Sequence, residues 1–273
     1  KFANTFIKGA VEHWSTDPRL RHVEFIVPTA PTRDMCMFAA GATPDVREML
    51  GDAKLPAWFD CGQDASLPNG WRLNREHIAE SKQTYIDLAT QDGGALATTV
   101  FGGFSNGGAQ ALVTGLQTPC AGILCLCSSL FGFRDFDEKD LQIPKPVLYC
   151  TGEKDPYVPL EEIEKDKAFL ADRSACDVQV RTFKMGHESC EQELAVCANW
   201  LAKVLAVEGL LACTAHQWGA DACLGPLVLL HRHSHLPHVR HDPALVLLER
   251  AVHGRLRLHT LVLLPRAGLE APV

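Results

Sequence analysis

Five short apolar runs, each bounded by turn-forming residues, constrain the fold of this chain more than any other feature. They are mostly continuous rather than alternating, which is typical of strands covered on both faces. Segments with helical periodicity, Arg75–Ala89 and Glu191–Leu205, lie between them. Strands that alternate with helices predict an α/β fold with a doubly wound, mostly parallel sheet. The runs are Val23–Val27, Thr98–Phe101, Gly122–Cys127, Val147–Cys150 and Val178–Phe183.

The composition excludes several classes of function. The 273 residues carry a net charge of −7 and no basic run, which argues against a nucleic-acid partner. No apolar stretch approaches the roughly 20 residues that a transmembrane helix needs. The eleven cysteines form no C-x-x-C pair, so we expect reduced, buried thiols and a cytoplasmic location. The first residue is Lys1 rather than Met, which is consistent with a fragment.

The composition changes near residue 207. From Glu208 onward the chain has no Phe, Tyr, Ile, Lys, Met or Asn, yet it holds eight of the twelve histidines. We therefore predict an α/β domain over residues 1–206 and an unassigned Leu/His/Arg-rich tail over residues 207–273. Within the domain, residues 31–73 are rich in proline and glycine, which predicts a long excursion of loops and short elements.

A serine within a G-x-S-x-G pattern, Gly103–Gly107, follows one of the predicted strands directly. A plausible helix, Gly107–Leu116, comes next, so Ser105 is predicted to lie on a sharp strand-to-helix turn. In this context the serine is a candidate nucleophile, and the flanking glycines allow the backbone to pass closely. The alternative is a glycine-rich turn with a solvated serine.

The candidate base and acid follow Ser105 in chain order. Of the four histidines before the tail, His187 alone lies between the last predicted strand and the last helix; His13, His22 and His77 are predicted to be surface residues. Asp155 lies in the loop after Val147–Cys150, so the order is Ser, Asp, His. Glu153, in the same loop, is the competing carboxylate.

Four blocks of the sequence together resemble the acyl-protein thioesterase, lysophospholipase and carboxylesterase family of α/β-hydrolases. The resemblance spans residues 1 to about 206. The resemblance implies a triad of Ser105, Asp155 and His187, with the backbone N–H of Asn106 as an oxyanion donor. The blocks are residues 25–33, residues 55–60, residues 102–109, and the pair of segments 152–160 and 186–190.

The resemblance also implies that Trp58 and Phe59 help to line a channel for an acyl chain, whereas the residues alone are equally consistent with loop packing. It implies hydrolysis of acylated proteins or lysophospholipids through an acyl-enzyme on Ser105. We predict no metal or organic cofactor, because the triad chemistry needs neither. Two alternatives stay open: a carboxylesterase for short esters, and a catalytically impaired α/β-hydrolase that acts as a binding module. The sequence leaves the oligomeric state undetermined.

The N-terminus departs from the family pattern. Family members begin with an apolar strand and an H-G-x-G-D loop that supplies the second oxyanion donor, and nothing before Phe25 matches these. Loss of one such donor lowers kcat by about 10²–10³. In the family, the missing strand is expected to lie beside the strand that precedes Ser105. Loss of the N-terminal strand would therefore leave a gap in the sheet.

The tail contains two apolar runs of strand length, Leu227–Leu230 and Leu261–Leu264. One hypothesis is that the tail folds back and fills the gap in the sheet. The abrupt change in composition favours the alternative, in which the tail is unrelated to the domain and dispensable. Alternating histidines at 231–238 are not expected to form a physiological metal site, because no cysteine or carboxylate completes a recognised spacing.

Overall fold

A computed structural model describes residues 2–41, 54–67, 70–135, 140–142, 145–173, 176–206 and 259–265. The helices are α1 (Phe2–Ser15), α2 (Cys36–Gly41), α3 (Arg75–Thr90), α4 (Asn106–Leu116), α5 (Leu160–Arg173) and α6 (Glu191–Val204). The longer strands are β1 (Val23–Ile26), β6 (Val100–Phe104), β7 (Gly122–Leu126), β8 (Val147–Gly152), β9 (Val178–Phe183) and β10 (His259–Pro265). The excursion after β1 contributes the three-residue strands β2 (Thr32–Asp34), β3 (Lys54–Pro56), β4 (Cys61–Gln63) and β5 (Trp71–Leu73), as two hairpin-like pairs.

The six longer strands form one sheet in the order β1-β10-β6-β7-β8-β9. Strands β6 to β9 are mutually parallel, which confirms the predicted α/β class. Every residue of β6, β7 and β8 is buried, as expected for strands covered on both faces. Side chains from α3, α4 and α5 pack in the buried cluster on one face, and those from α1 and α6 pack in the cluster on the other.

Strand β10 comes from the predicted tail. It lies between β1 and β6 and is antiparallel to both, with Val262 in register with Ile26 on one side and with Phe101 on the other. The expectation that the tail is unrelated to the domain is therefore wrong for residues 259–265, which complete the central sheet. The other run, Leu227–Leu230, and the histidines at 231–238 lie outside the described residues, and the boundary near residue 207 stays a prediction.

The direction of β10 decides which of its ends meets the carboxyl ends of the parallel strands. Because β10 is antiparallel to β6, its first residue, His259, pairs with Phe104, and its last residues pair with the start of β6 or extend beyond it. The start of β10, rather than any loop after its end, therefore lies opposite Phe104, the residue that precedes Ser105. Among the described residues no helix is long and apolar enough to cross a membrane.

Candidate active site

Ser105 occupies the turn between β6 and α4 in a backbone conformation that L-residues rarely adopt. Its φ is 55° and its ψ is −124°. The turn is held on both sides: the Ser105 N–H donates to Leu126 O at 2.9 Å, and its carbonyl accepts from the N–H groups of Gly108 and Ala109. Such strain persists only where the surrounding structure enforces it, and it is often found at functional sites.

The glycines of the motif are explained by close contacts across this turn. A Cβ at position 103 would lie 2.3 Å from the carbonyl of Gly107, which is too close for any other residue. A Cβ at Gly108 would lie 2.7 Å from the Cβ of Ser128. The close approach at these two positions therefore requires glycine.

Three side chains from three loops meet at the carboxyl edge of the sheet. His187 Nε2 lies 3.0 Å from Ser105 Oγ, and His187 Nδ1 lies 2.8 Å from Asp155 Oδ2. The imidazole ring contacts the rings of Phe104 and Tyr157, whose centroids are 4.8 and 5.1 Å away. These contacts orient both ring nitrogens, one toward the hydroxyl and one toward the carboxylate.

Asp155 is held in the ionised form by its hydrogen bonds. Burial alone would raise the pKa of its carboxyl, but the hydrogen bond from His187 and those from two backbone amides lower it overall. The amides belong to Tyr157 and Val158 and donate to Oδ1 at 2.9 and 3.0 Å. The competing carboxylate, Glu153, is exposed, whereas the Asp155 side chain has no exposed area.

The other histidines before the tail have different surroundings. His13 is exposed, as predicted. His22 and His77 are half-buried instead, because each contacts the backbone: His22 Nε2 lies 2.9 Å from Leu205 O, and His77 Nδ1 accepts from the N–H of Asp60 at 3.3 Å. The structure thus brings only His187, of these four, to Ser105.

Asn106 is the first residue of α4 and is buried beside Ser105. The first amides of a helix have no intrahelical acceptor, and the helix dipole favours negative charge there. The Asn106 side chain makes two further hydrogen bonds: Oδ1 accepts from the N–H of Trp58 at 2.9 Å, and Nδ2 donates to Phe59 O at 3.1 Å. Asn106 therefore ties the loop of residues 57–60 to the turn that carries Ser105.

Trp58 and Phe59 are almost fully buried, with 0% and 2% of their surface exposed. The Trp58 ring packs edge-on against Tyr85, with centroids 5.0 Å apart, and the Phe59 ring packs edge-on against Phe133 at 5.5 Å. These contacts are those of core residues. That the two residues also line an acyl-chain channel stays a prediction.

Sequence reasoning misses two buried groups near His187. Cys127 follows β7, and its thiol contacts Glu188 O at 3.4 Å, in the loop that carries His187. Glu193, in the first turn of α6, accepts a hydrogen bond from Ser189 Oγ in the same loop. Cys127 follows a strand and Glu193 lies at the start of a helix, both at the carboxyl edge of the sheet. That position is the one sequence feature that could have identified them as candidate site residues.

Glu193 gives a testable pH dependence of stability. Burial raises the pKa of the Glu193 carboxyl from its ordinary value of 4.5 to about 7. Between these two pH values the carboxyl is protonated in the folded state and ionised in the unfolded state. The contribution of Glu193 to stability therefore falls over that interval, by about 3 kcal/mol. We expect Glu193→Gln to remove this decline when the free energy of unfolding is measured against pH. Glu191→Gln, an exposed change in the same turn, is the control, and parallel curves for Glu193→Gln and the unmodified chain would contradict the assignment.

Comparison with known proteins shows the family of this chain. The model of the phospholipase/carboxylesterase family matches residues 8–205. The chain belongs to this family. One relative that it resembles is acyl-protein thioesterase 1 of Gibberella zeae, 31% identical over 213 residues, which cover 72% of this chain and 83% of the relative. The corresponding protein of Neurospora crassa is 30% identical over 214 residues, with 72% and 80% covered.

Solved structures of other proteins have the same fold as this chain. A variant of Arabidopsis thaliana SOBER1 superposes with a TM-score of 0.57 at 18% identity and covers 73% of this chain and 93% of its own. Acyl-protein thioesterase 2 of Zea mays gives 0.51 at 20% identity, with 66% and 80% covered. The predicted α/β-hydrolase fold is confirmed. The prediction of a hydrolase that acts on acyl esters or thioesters is confirmed at the level of the family.

Proposed function

We propose that this chain is a serine hydrolase that removes acyl groups from acylated proteins through a covalent intermediate on Ser105. The observation that carries the proposal is the continuous hydrogen-bonded path from Ser105 Oγ through His187 to Asp155, at 3.0 and 2.8 Å. The strained turn at Ser105 supports it, because the hydroxyl is fixed at the end of a buried strand.

The first half of the reaction acylates the serine. Ser105 Oγ attacks the carbonyl carbon of the thioester while His187 Nε2 takes the hydroxyl proton. The negative charge that develops on the carbonyl oxygen is stabilised by the backbone N–H of Asn106 at the start of α4. Asp155 holds the proton on Nδ1, which leaves Nε2 free to accept, and it stabilises the imidazolium without taking its proton.

The second half returns the enzyme to its starting state. The tetrahedral intermediate collapses and expels the leaving group. A thiolate leaves first and then takes the proton from His187 Nε2, whereas an alcohol takes that proton as it leaves, so Nε2 is neutral again in both cases. Water then enters, gives a proton to Nε2 and attacks the acyl-enzyme carbonyl. Collapse of the second intermediate releases the fatty acid, and the proton returns to Ser105 Oγ.

Protein thioesters are the proposed substrates because of the relatives' names. The Gibberella zeae and Neurospora crassa relatives are both named acyl-protein thioesterase 1. Lysophospholipids are a second substrate class that the same carbonyl chemistry accommodates. The cysteines of the described residues form no disulfide bond, which supports action in a reducing compartment such as the cytoplasm.

A panel of thioesters and matched oxygen esters, from acetyl to palmitoyl, tests the substrate class. We expect kcat/KM to rise with acyl length and to favour the thioester over its oxygen ester, because a thiolate leaves without needing a proton. A maximum at acetyl or butyryl would contradict the assignment to long acyl chains. It would instead support the second candidate below.

The second candidate is a carboxylesterase for short esters. It is favoured by the burial of Trp58 and Phe59, whose rings pack against Tyr85 and Phe133. A catalytically impaired binding module is distinguished from both by the absence of turnover across the whole panel.

A further inference from the structure

Cys127, Asp155 and His187 form a cluster that we name the cysteine–triad cluster. Each offers one metal-ligand atom, and these three atoms lie within 4.8 Å of one another. In the part of the chain that the structure describes, no other group of three His, Cys, Asp or Glu residues meets this condition. Two members belong to the proposed catalytic machinery, whereas Cys127 has no part in the mechanism above.

The backbone fixes the Cys127 thiol in this position. Cys127 follows β7 with a φ of 46°, and its N–H donates to Cys150 O at 2.8 Å. The thiol is directed to the histidine loop, where it contacts Glu188 O. Since β7 and β8 are parallel neighbours, Cys127 and Asp155 follow them at the same edge of the sheet.

The donor set is the one that Zn²⁺ prefers. Thiolate sulfur, imidazole nitrogen and carboxylate oxygen bind Zn²⁺ at about 2.0–2.3 Å, and three protein ligands leave a fourth position for water. One thiolate and one carboxylate together neutralise the dication, which matters because Cys127 and Asp155 are buried. Burial raises the pKa of the free Cys127 thiol, so the metal must displace the thiol proton.

The surroundings of Asp155 and His187 supply support and access. Asp155 Oδ1 is held by two backbone amides, an arrangement that would orient a metal-ligating carboxylate, and Oδ2 lies beside His187 Nδ1. The His187 side chain is 11% exposed, whereas that of Asp155 has no exposed area. An ion therefore enters past the imidazole.

We propose that Zn²⁺ binds the cysteine–triad cluster and inhibits the hydrolase; this inference rests on the function proposed above. Binding forms bonds from the metal to Cys127 Sγ, an Asp155 oxygen and one His187 nitrogen, and it releases the thiol proton to solvent. With Zn²⁺ on Nδ1, the imidazole proton moves to Nε2, which then donates to Ser105 Oγ and cannot accept its proton. With Zn²⁺ on Nε2, the base itself is occupied.

Labelling of the full chain by a fluorophosphonate probe, titrated with Zn²⁺, tests the inhibition. Each variant is normalised to its own metal-free rate. We expect Cys127→Ala to need at least about tenfold more Zn²⁺ for half-inhibition than the unmodified chain, and a chelator to restore labelling. Cys190→Ala, a nearby thiol outside the cluster, is the control and should behave as the unmodified chain. Histidines of the tail are common to all variants, so they do not affect the comparison. Equal Zn²⁺ sensitivity of the unmodified chain and Cys127→Ala overturns the inference.

Cadmium binding gives a readout that does not depend on catalysis. The ultraviolet charge-transfer absorption of cadmium–thiolate bonds should fall by the equivalent of one thiolate in Cys127→Ala and stay unchanged in Cys190→Ala. Cys127→Ser replaces the alanine variant if the latter does not give a native circular dichroism spectrum. No loss of absorption overturns the metal site. If the metal-free protein is not labelled at all, the proposed function is contradicted. The cadmium measurement then still tests the metal site, because it does not depend on catalysis.

Discussion

Replacing Ser105 with alanine is expected to lower kcat by about 10⁴–10⁶, to the level that oxyanion stabilisation and binding alone sustain. The substitution removes the atom that attacks the carbonyl, 3.0 Å from His187 Nε2, and leaves the rest of the site in place. Steady-state hydrolysis of a thioester substrate measures the loss, and thermal denaturation checks that the variant is folded.

The acid is tested by a matched pair of amide substitutions in one loop. Asp155→Asn is expected to lower kcat by about 10⁴, because the amide favours the wrong imidazole tautomer while serine and histidine remain. Glu153→Gln is the control and should change kcat little, because Glu153 is exposed. A larger loss from Glu153→Gln than from Asp155→Asn would contradict the assignment of the acid.

Removing β10 is expected to destroy the cooperative fold of the domain. A chain that ends at residue 258 lacks the strand that pairs with both β1 and β6, so backbone groups of two strands lose their partners. Each buried, unsatisfied backbone group costs about 1–3 kcal/mol, and a domain has only about 5–15 kcal/mol of stability. Urea denaturation followed by circular dichroism measures the loss.

Two further chains separate the strand from the rest of the tail. A chain that ends at Pro265 keeps β10 and should unfold at the same urea concentration as the full chain. Val262→Pro removes one N–H from the middle of the strand, which proline tolerates poorly inside a sheet, and it should be strongly destabilising. If the chains ending at 258 and 265 unfold at the same midpoint, β10 does not belong to the sheet.

Much of the sheet follows from local sequence. The continuous apolar runs at β7 and β8 begin where the sequence predicts, because strands buried on both faces need no polar alternation. Strand β9 also begins as predicted, although only Phe183 within it is buried. Strand β6 spans Val100–Phe104 rather than the predicted Thr98–Phe101. Residues Leu96–Thr98 form a short helical turn, and the glycines at 102 and 103 continue the strand instead of ending it. A pair of glycines in the sequence does not by itself indicate whether a strand ends or continues there.

The meeting of Ser105, Asp155 and His187 could be predicted because each of them follows or precedes a recognisable strand or helix. Ser105 and Asp155 follow strands whose carboxyl ends share one edge, and His187 precedes α6 at that edge. Cys127 has the same position after β7, but a lone buried cysteine in an apolar run gives no chemical signal. Its proximity to Asp155 depends on the neighbouring order of β7 and β8, which local sequence does not encode.

The strand from the tail could not be assigned for a different reason. A four-residue leucine-rich run is as compatible with helix as with strand, and its partners lie far away in the sequence. The pairing of Leu261 with Gly102 and of Leu264 with Glu24 is therefore a tertiary property. Its antiparallel direction, which brings His259 next to Phe104, is likewise absent from any local pattern.

Fluorophosphonate labelling of the full chain, followed by mass spectrometric mapping of the modified peptide, tests the central claim most directly. The probe reacts with an activated serine whatever the natural substrate. We expect one label per chain, on Ser105, and labelling that disappears in His187→Ala. Absence of label from the folded chain, or a label on another serine that persists in Ser105→Ala, would contradict the claim that this chain is a serine hydrolase acting through Ser105.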